Sequence, residues 1–258
     1  MKNQFVEYTS IGTGAFVDST AKIYAKKLAL GKHSHIGPGV IIDCDTFVLG
    51  EYSRIYDRTL IRGRKGHGTV SIGHNAWIAS DVIMDTEGGL TIENNVTIGA
   101  KAAIWTHAQP GCCILGAEPV RSYPLRIGMD AWIGCHCVVA VNIPYQALLI
   151  AGSIATREKD VIPNHYHAGN PAQAIPEVHF KEIAEDVKLD RMKKLVWEFE
   201  REYPAYKGLI RPVRHAVEGG GLWFDVNLRL YANTGHPAEV AFLKMMTPRC
   251  RFLPVGQP

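Results

Sequence analysis

The sequence lacks three features that would indicate a specialised class of protein. Its net charge is only +3 over 258 residues, which is too small to indicate a nucleic-acid partner. No apolar run approaches the ~18 residues of a membrane span, and residues 1–10 are too polar for a secretory leader. We therefore expect a protein without a nucleic-acid partner and without a membrane span.

The six cysteines form no C-x-x-C pair, the spacing that is typical of many metal and redox sites. In a chain of this size without a leader, we expect reduced thiols and a cytoplasmic location. Hydrophobic residues make up 47% of the sequence, enough for one large core or for one core and a small second domain. The 25 glycines are concentrated before residue 170, which indicates two regions.

A period of six residues runs through the first region. Aliphatic residues recur at this interval, and many are followed by glycine or aspartate. A small or β-branched residue often stands four positions later, as Ala76 and Val82 do. The aliphatic positions of the period are Ile11, Val17, Ile23, Leu30, Ile36, Ile42, Val48, Ile72, Ile78, Met84, Ile92, Ile98, Ile104, Ile127, Ile133 and Val139.

This period fits neither a helix, in which a face recurs about every 3.6 residues, nor an ordinary strand, in which a face recurs every two. It fits a coil of three short flat strands. Each strand directs one large aliphatic side chain inward, and glycine or a small polar residue turns the corner. Coils stacked at a strand spacing of about 4.8 Å form a prism lined by aliphatic ladders. The sequence therefore predicts a parallel β-helix.

The pattern resembles that of the hexapeptide-repeat acyltransferases over about residues 10–175. The similarity is most detailed in R-I-G-M-D-A-W-I-G-C-H-C-V-V from Arg126, I-A-G-S-I-A from Ile150 and H-A-G-N-P-A-Q-A-I from His167. The resemblance implies a left-handed parallel β-helix over residues 1–175. It also implies a homotrimer with active sites between subunits, and direct transfer of an acetyl group from acetyl-CoA.

Interruptions of the period predict loops, where function is often found. The longest covers residues 107–126 and matches in place the loop that, in the family, projects over the site of a neighbouring subunit. The segment 62–69 is either a solvated turn or a phosphate contact made by Arg62, Arg64 and Lys65. An insertion at residues 87–89 predicts a small bulge.

His107 is the predicted general base. Acyl transfer needs a group that takes the proton of the acceptor, and histidine titrates near neutral pH. His107 follows the rung at Ile104, at the mouth of the long loop, where the family places its catalytic histidine. The alternative is a structural turn histidine. Asp85 or Glu118 is expected to orient it, and Asp85, Trp105 and Glu118 are the predicted substrate-binding residues.

Other chemistries have weaker support. A thiol nucleophile at Cys112 or Cys113 has no base close by in sequence. A zinc site needs three converging ligands, and no histidine follows His107 until His136, so we expect no metal. His136 is a second candidate site residue, although its outward position is more typical of a surface side chain.

Donor contacts follow from the resemblance alone. In the family, corner amides bond to the pantetheine arm of CoA, further residues meet its phosphates, and an A-G-N-P-A segment lies near the adenine. The matching residues here are, in that order, Gly134, Ala151 and Gly152; Thr156, Arg157 and Lys159; and Gly169, Asn170 and Pro171. The amides of Gly128 or Gly134 are the expected oxyanion donors.

After residue 175 the period stops, and residues 176–258 predict a helix followed by a small α+β extension. Apolar spacing predicts one amphipathic helix over 178–203, ended by Pro204. Residues 222–231 alternate as a strand, and 240–246 fit a strand or a short helix. Three roles stay open for this extension: binding the acceptor, extending the trimer or capping the open edge of the prism.

The resemblance implies an O- or N-acetyltransferase that acts on a sugar, a nucleotide-sugar or a similar small acceptor, with a place in polysaccharide biosynthesis. Two alternatives remain at this level. One is a formyltransferase with a folate donor, and the other is a β-helix that binds or scaffolds without catalysis.

Overall fold

A computed structural model of the chain describes residues 8–63, 66–108, 111–117, 121–216 and 220–255. They fall into two compact units, Met1–Phe180 and Lys181–Pro258. The elements in chain order are β1 (Tyr8–Ile11), β2 (Phe16–Val17), β3 (Lys22–Leu30), β4 (His35–Ile36), β5 (Ile41–Leu49), β6 (Arg54–Ile55), β7 (Leu60–Arg62), β8 (Thr69–Ile72), β9 (Trp77–Ile78), β10 (Ile83–Asp85), β11 (Leu90–Ile92), β12 (Thr97–Ile98), β13 (Ala103–Ile104), β14 (His107–Ala108), β15 (Arg121–Ser122), β16 (Leu125–Ile127), β17 (Trp132–Ile133), β18 (Val138–Val139), β19 (Leu148–Leu149), β20 (Ile154–Ala155), β21 (His165–Gly169), β22 (Ala172–Val178), α1 (Glu185–Glu202), β23 (Ile210–Val213), β24 (Leu222–Asp225), β25 (Leu230–Tyr231), α2 (Pro237–Met246) and β26 (Leu253–Pro254).

The first unit is a coil with three faces, in which the strands of each face pair in parallel with their equivalents one coil away. Face 1 contains β7, β10, β13, β18 and β20; face 2 contains β1, β8, β11 and β16; face 3 contains β2, β4, β6, β9, β12, β17, β19 and β21. The long strands β3 and β5 run from face 1 into face 2. Antiparallel β22 follows β21 at the end of face 3. The predicted parallel β-helix is confirmed.

Aliphatic ladders fill the prism, because each short strand directs one large side chain inward. Ile36, Ile55 and Ile78, for example, stand in register on face 3 and are fully buried. The predicted inward position of Val48 is wrong. Since β5 crosses from face 1 to face 2 without a turn, the alternation of the strand brings Phe47 and Leu49 into the core instead.

Two of the three corners turn through one residue of left-handed conformation in almost every coil. At the corner from face 2 to face 3 these include Asn75 and Asn95, whose side chains are hydrogen-bonded to each other. Left-handed backbone is least costly for glycine, asparagine and aspartate. The corner from face 1 to face 2 carries no such series, and the coil is interrupted there by loops 63–68, 86–89 and 105–124.

The helix predicted over 178–203 begins later, at Glu185, and ends at Glu202. Residues 179 and 180 form a bend before the helix, in which the backbone N–H groups of His179 and Phe180 donate to the carbonyl and side-chain oxygens of Asn164. Asp186 and Glu185 then occupy the first helical turn, where negative charge favours the helix dipole.

The second unit packs α1 and α2 with the sheet β23–β24–β25–β26 around its own core. The rings of Phe199, Phe224 and Phe242 meet edge to face, with centroids 5.2 and 4.8 Å apart. Residues 222–231 form two strands rather than the one predicted, since the carboxylate of Asp225 accepts from the N–H groups of Asn227 and Leu228 and turns the chain. In the part of the chain that the structure describes, no helix is long and apolar enough to cross a membrane.

Candidate active site

The site lies at the corner from face 1 to face 2, where the chain leaves the coil. His107 and Ala108 form β14, which pairs antiparallel with β15 at residues 121–122. The long predicted loop is therefore a hairpin at its base. His107 stands at the start of this hairpin with 29% of its side chain exposed. Trp105 directly follows β13, and its ring meets the imidazole of His107 edge-on, with centroids 6.3 Å apart.

Asp85 is the partner of His107. Nδ1 of His107 lies 2.9 Å from Oδ2 of Asp85, although the N–H direction is bent away from a straight hydrogen bond. Such contacts often straighten only when substrate is bound. The stacking of the coils explains why the two residues meet. Met84 and Ile104 pair in register, Asp85 directly follows Met84, and His107 follows Ile104 by three residues. Glu118, the other predicted partner, lies outside the described residues.

Asp85 is 4% exposed, which is unusual for a carboxylate, and two hydrogen bonds compensate for the lost water. Both come from Thr106, whose backbone N–H donates over 2.9 Å and whose hydroxyl makes a short second bond to the same Oδ2. Burial, reinforced by the charge of Asp85, raises the pKa of the Tyr123 phenol above its ordinary value. Tyr123 therefore lies within the electrostatic reach of this carboxylate.

Thr106 also joins the neighbouring segments. Its Oγ1 accepts from the backbone N–H of Gly88 at 3.0 Å, and its carbonyl accepts from the N–H of Tyr123 at 2.9 Å. Thr106 and Gly88 were not predicted as site residues. The insertion at residues 87–89 and the position of Thr106 next to His107 are the two sequence signals that point to them.

The basic segment 62–69 borders the same corner. The hydroxyl of Thr86 donates to the carbonyl of His67 at 2.7 Å, which attaches this loop to the residue after Asp85. His67 itself contacts Asp45 at 3.5 Å. A hydrogen bond from Lys26 lowers the pKa of Asp45. Arg64 and Lys65 lie outside the described residues, so the proposed phosphate contact stays a prediction.

The predicted donor residues occupy three places. Gly134, Ala151 and Gly152 lie together at the corner from face 3 to face 1, where a Cβ on Gly134 would stand 2.6 Å from the backbone N of Ala151. Close stacking of the coils therefore already requires glycine at position 134. Gly152 is left-handed, and a Cβ added to it would meet nothing within 4 Å.

The other two groups of predicted donor residues lie elsewhere. Thr156, Arg157 and Lys159 follow β20, at the same corner as His107 but nearer the C-terminal end of the coil. The segment 169–171 forms the turn between β21 and β22. Only the residues after β20 therefore share a corner with the His107–Asp85 pair.

The expected oxyanion donors are engaged in the fold. The N–H of Gly128 donates to the carbonyl of Ile143 at 2.8 Å, and the N–H of Gly134 donates to the carbonyl of Leu149 at 2.9 Å. Each bond is a rung of the coil. Neither amide is free to hold an oxyanion, and the expectation that they do so is wrong.

The remaining candidates divide by exposure. His136 is exposed at a left-handed corner position, and Cys112 is exposed in the long loop. His167, in contrast, is fully buried in the last coil. Among the residues that the structure describes, no three His, Cys, Asp or Glu side chains are arranged as metal ligands.

Comparison with known proteins gives a partial match in sequence. The chain is 31% identical over 113 residues to galactoside O-acetyltransferase of Escherichia coli K12, which covers 43% of this chain and 55% of that protein. The chain thus spans about half the length of this relative. No model of a protein family matches the chain.

Solved structures include two further similar proteins. UDP-N-acetylglucosamine acyltransferase of Campylobacter jejuni is 15% identical, with a TM-score of 0.49, and covers 76% of this chain and 82% of its own. A hexapeptide-repeat acetyltransferase of Vibrio cholerae is 21% identical, with a TM-score of 0.38, and covers 58% of this chain and 73% of its own.

The sequence match agrees with three features of the chain itself. The six-residue period, the three-faced parallel coil and the hairpin that leaves it after a histidine occur together in one unit. The chain therefore combines the architecture of a hexapeptide-repeat coil with a partial sequence similarity to galactoside O-acetyltransferase.

Proposed function

We propose that the protein transfers an acetyl group from acetyl-CoA to a hydroxyl group of a sugar or a similar small acceptor, with His107 as the general base. The observation that carries this proposal is the 2.9 Å approach of Nδ1 of His107 to the buried carboxylate of Asp85. A histidine held by a carboxylate at the mouth of a loop is an arrangement suited to proton abstraction.

The partner of His107 decides which ring nitrogen is the base. A carboxylate oxygen can only accept, so the proton of the neutral imidazole belongs on Nδ1, where it faces Asp85. Nε2 then carries the free lone pair. The pair thus supplies a base of one defined tautomer, and Asp85 stabilises the imidazolium that forms when Nε2 takes a proton.

The proposed reaction is a direct acyl transfer. The acceptor hydroxyl gives its proton to Nε2 of His107 as its oxygen attacks the thioester carbonyl carbon, forming the new C–O bond. The carbonyl oxygen carries the negative charge of the tetrahedral intermediate. Collapse of that intermediate breaks the C–S bond, and Nε2 returns the proton to the departing sulfur. The products are the acetyl ester and the free thiol of CoA.

The acceptor class has support from sequence. The relative that matches this chain is an O-acetyltransferase of galactosides, which favours a sugar hydroxyl over an amine. Trp105 lies beside His107 and is 38% exposed. Its ring offers an aromatic surface against which the apolar side of a sugar can pack. The proposed place of the CoA phosphates is near Arg157 and Lys159, which follow β20 at the same corner.

A homotrimer is part of the proposal, and the outer surfaces of the coil support it. Face 1 carries an outward aliphatic ladder in register, and face 3 carries outward aromatic rings, including Phe16 and Trp132, which are about half exposed. Outward positions of face 2 are more polar, such as Ser71, Thr91 and Arg126. Contact between two unlike faces is heterologous, and it closes into a ring of three when each subunit is rotated by about 120° from the next. The ladder of face 1 consists of Ile41, Leu60, Ile83, Ala103, Val138 and Ile154.

The experiment that tests the function is a thiol-release assay with acetyl-CoA and a panel of galactosides, other glycosides and amino sugars, with products examined by mass spectrometry. Acetylated sugar in step with released thiol supports the proposal. Product formed only from formyl-tetrahydrofolate would show that the donor is a folate and not acetyl-CoA. Failure of both donors to bind or react, across the whole panel, would contradict the enzymatic function and leave a binding or scaffold protein.

A further inference from the structure

We infer that Thr106, together with the amide of Gly88 in the insertion at residues 87–89, is a positioning device that aims the carboxylate of Asp85 at His107. This inference rests on the proposed function. It adds Thr106 and Gly88, which the six-residue period does not distinguish, to the residues that support the reaction.

The direction of the threonine hydroxyl follows from its two partners. A hydroxyl has one proton to donate, and Thr106 has two polar neighbours at Oγ1. The backbone N–H of Gly88, 3.0 Å away, can only donate. Oγ1 must therefore accept from Gly88, and its single proton must point to Oδ2 of Asp85. Gly88 thus fixes the hydroxyl, and the hydroxyl fixes the carboxylate.

Three groups converge on one oxygen of Asp85. Oδ2 receives the hydroxyl and the backbone N–H of Thr106, and Nδ1 of His107 approaches the same atom at 2.9 Å. A carboxylate held by a single bond can rotate about its own axis. Two bonds from one fully buried residue hold its plane, so that Oδ2 stays in front of the imidazole.

Gly88 serves this arrangement because it lacks a side chain. A Cβ at this position would stand 2.1 Å from the carbonyl oxygen of Tyr123, on the returning arm of the long loop. The N–H of Tyr123 in turn donates to the carbonyl of Thr106 at 2.9 Å. Both the insertion and the returning arm are therefore packed against Thr106, which places the loop and the base in one hydrogen-bonded unit.

The test compares Thr106→Val, which removes the hydroxyl and keeps the volume, with Thr106→Ser, which keeps the hydroxyl. The matched control is Thr59→Val, because Thr59 is also fully buried and its hydroxyl also bonds within the coil, to the carbonyl of Ala79. We expect kcat to fall roughly 10- to 100-fold in Thr106→Val. The KM for acetyl-CoA should stay within about twofold, and Thr106→Ser should keep most of the activity.

A second readout separates positioning from stability. In wild type, ¹⁵N spectra of His107 should show the proton on Nδ1, and Thr106→Val should show a mixture of tautomers. If Thr106→Val does not fold, the same comparison is made between Thr106→Ala and Thr106→Ser. Thr106 variants whose turnover and tautomer match those of wild type and Thr59→Val would overturn the inference.

The outcome is distinguishable from a failure of the proposed function. If His107→Ala retains full turnover, the base assignment itself is wrong. If His107→Ala is inactive while Thr106→Val is fully active, the base assignment holds and only the positioning role of Thr106 is refuted.

Discussion

Nδ1 of His107 and Oδ2 of Asp85 approach to 2.9 Å across two successive coils of the prism. The two residues are far apart in sequence, and Asp85 ends β10 while His107 follows β13, both strands of face 1. The pairing arises because Met84 and Ile104 stack in register and deliver the following residues to the same corner. The regular coil thus brings a histidine and a carboxylate together at an irregular corner.

Asp85→Asn should lower kcat by roughly 10²- to 10⁴-fold, because the amide removes the charge that stabilises the imidazolium and also accommodates the wrong tautomer. Steady-state kinetics with acetyl-CoA and the best acceptor measure this loss. Asp45→Asn is the matched control, since Asp45 also approaches a histidine, His67, while its other partners are Lys26 and the amide of Gly68. Equal activity in the two variants would refute the role of Asp85.

The protein should lose stability as the pH falls below about 6.5, the ordinary histidine value. Burial lowers the pKa of His167, whose Nε2 accepts from the N–H of Ile162 and whose Nδ1 faces the carbonyl of Leu148. The unfolded chain then binds more protons than the folded chain, so acid favours unfolding, and stability is fully present only above this pH.

Burial lowers the pKa of His35 and His179 in the same direction, so the acid effect should be the sum of several sites. Urea unfolding at pH 7.5 and pH 5.5 measures it. His167→Gln should reduce the difference between the two pH values. A free energy of unfolding that is equal or larger at pH 5.5 would show that these histidines are not held neutral.

Phe47→Ala should cost about 3–5 kcal/mol in the free energy of unfolding, because it leaves a cavity inside the prism. Val48→Ala, one residue further along β5, should cost less than about 1 kcal/mol, since Val48 faces outward. The two variants differ by one position and report on the register of the strand directly. Denaturant titration of both is the measurement, and similar costs would contradict the register.

Ile83→Asp should separate the proposed trimer into smaller species, because it introduces a charge into the aliphatic ladder on the outside of face 1. Ser71→Asp, on the outside of face 2, is the matched control and should leave the assembly intact. Light scattering after size exclusion counts the chains in each particle. A trimer that tolerates Ile83→Asp but not Ser71→Asp would move the interface to face 2.

Much of the first unit follows from the sequence, because a six-residue period with one large aliphatic per strand has few solutions. The position of His107 at the mouth of the loop follows as well, because the period breaks there, and its role as the general base stays a prediction. The register of Val48 does not follow, because β5 crosses a corner that elsewhere requires a turn. Local spacing contains no sign of that continuity.

The partner of His107 could be narrowed from the sequence to Asp85 or Glu118, but the choice depends on which coil stacks beneath which. Thr106 was not predicted, since nothing in its spacing distinguishes it from other threonines. The start of α1 was placed too early for a similar reason. Asn164, far from it in sequence, binds residues 179–180 and delays the helix.

The most direct test of the account is to compare turnover and acetyl-CoA binding in His107→Ala with those in His215→Ala, an exposed histidine of the second unit. We predict that His107→Ala loses turnover by roughly 10²-fold or more and still binds acetyl-CoA with the wild-type Kd, while His215→Ala resembles wild type in both. Wild-type turnover in His107→Ala would contradict the account at its centre.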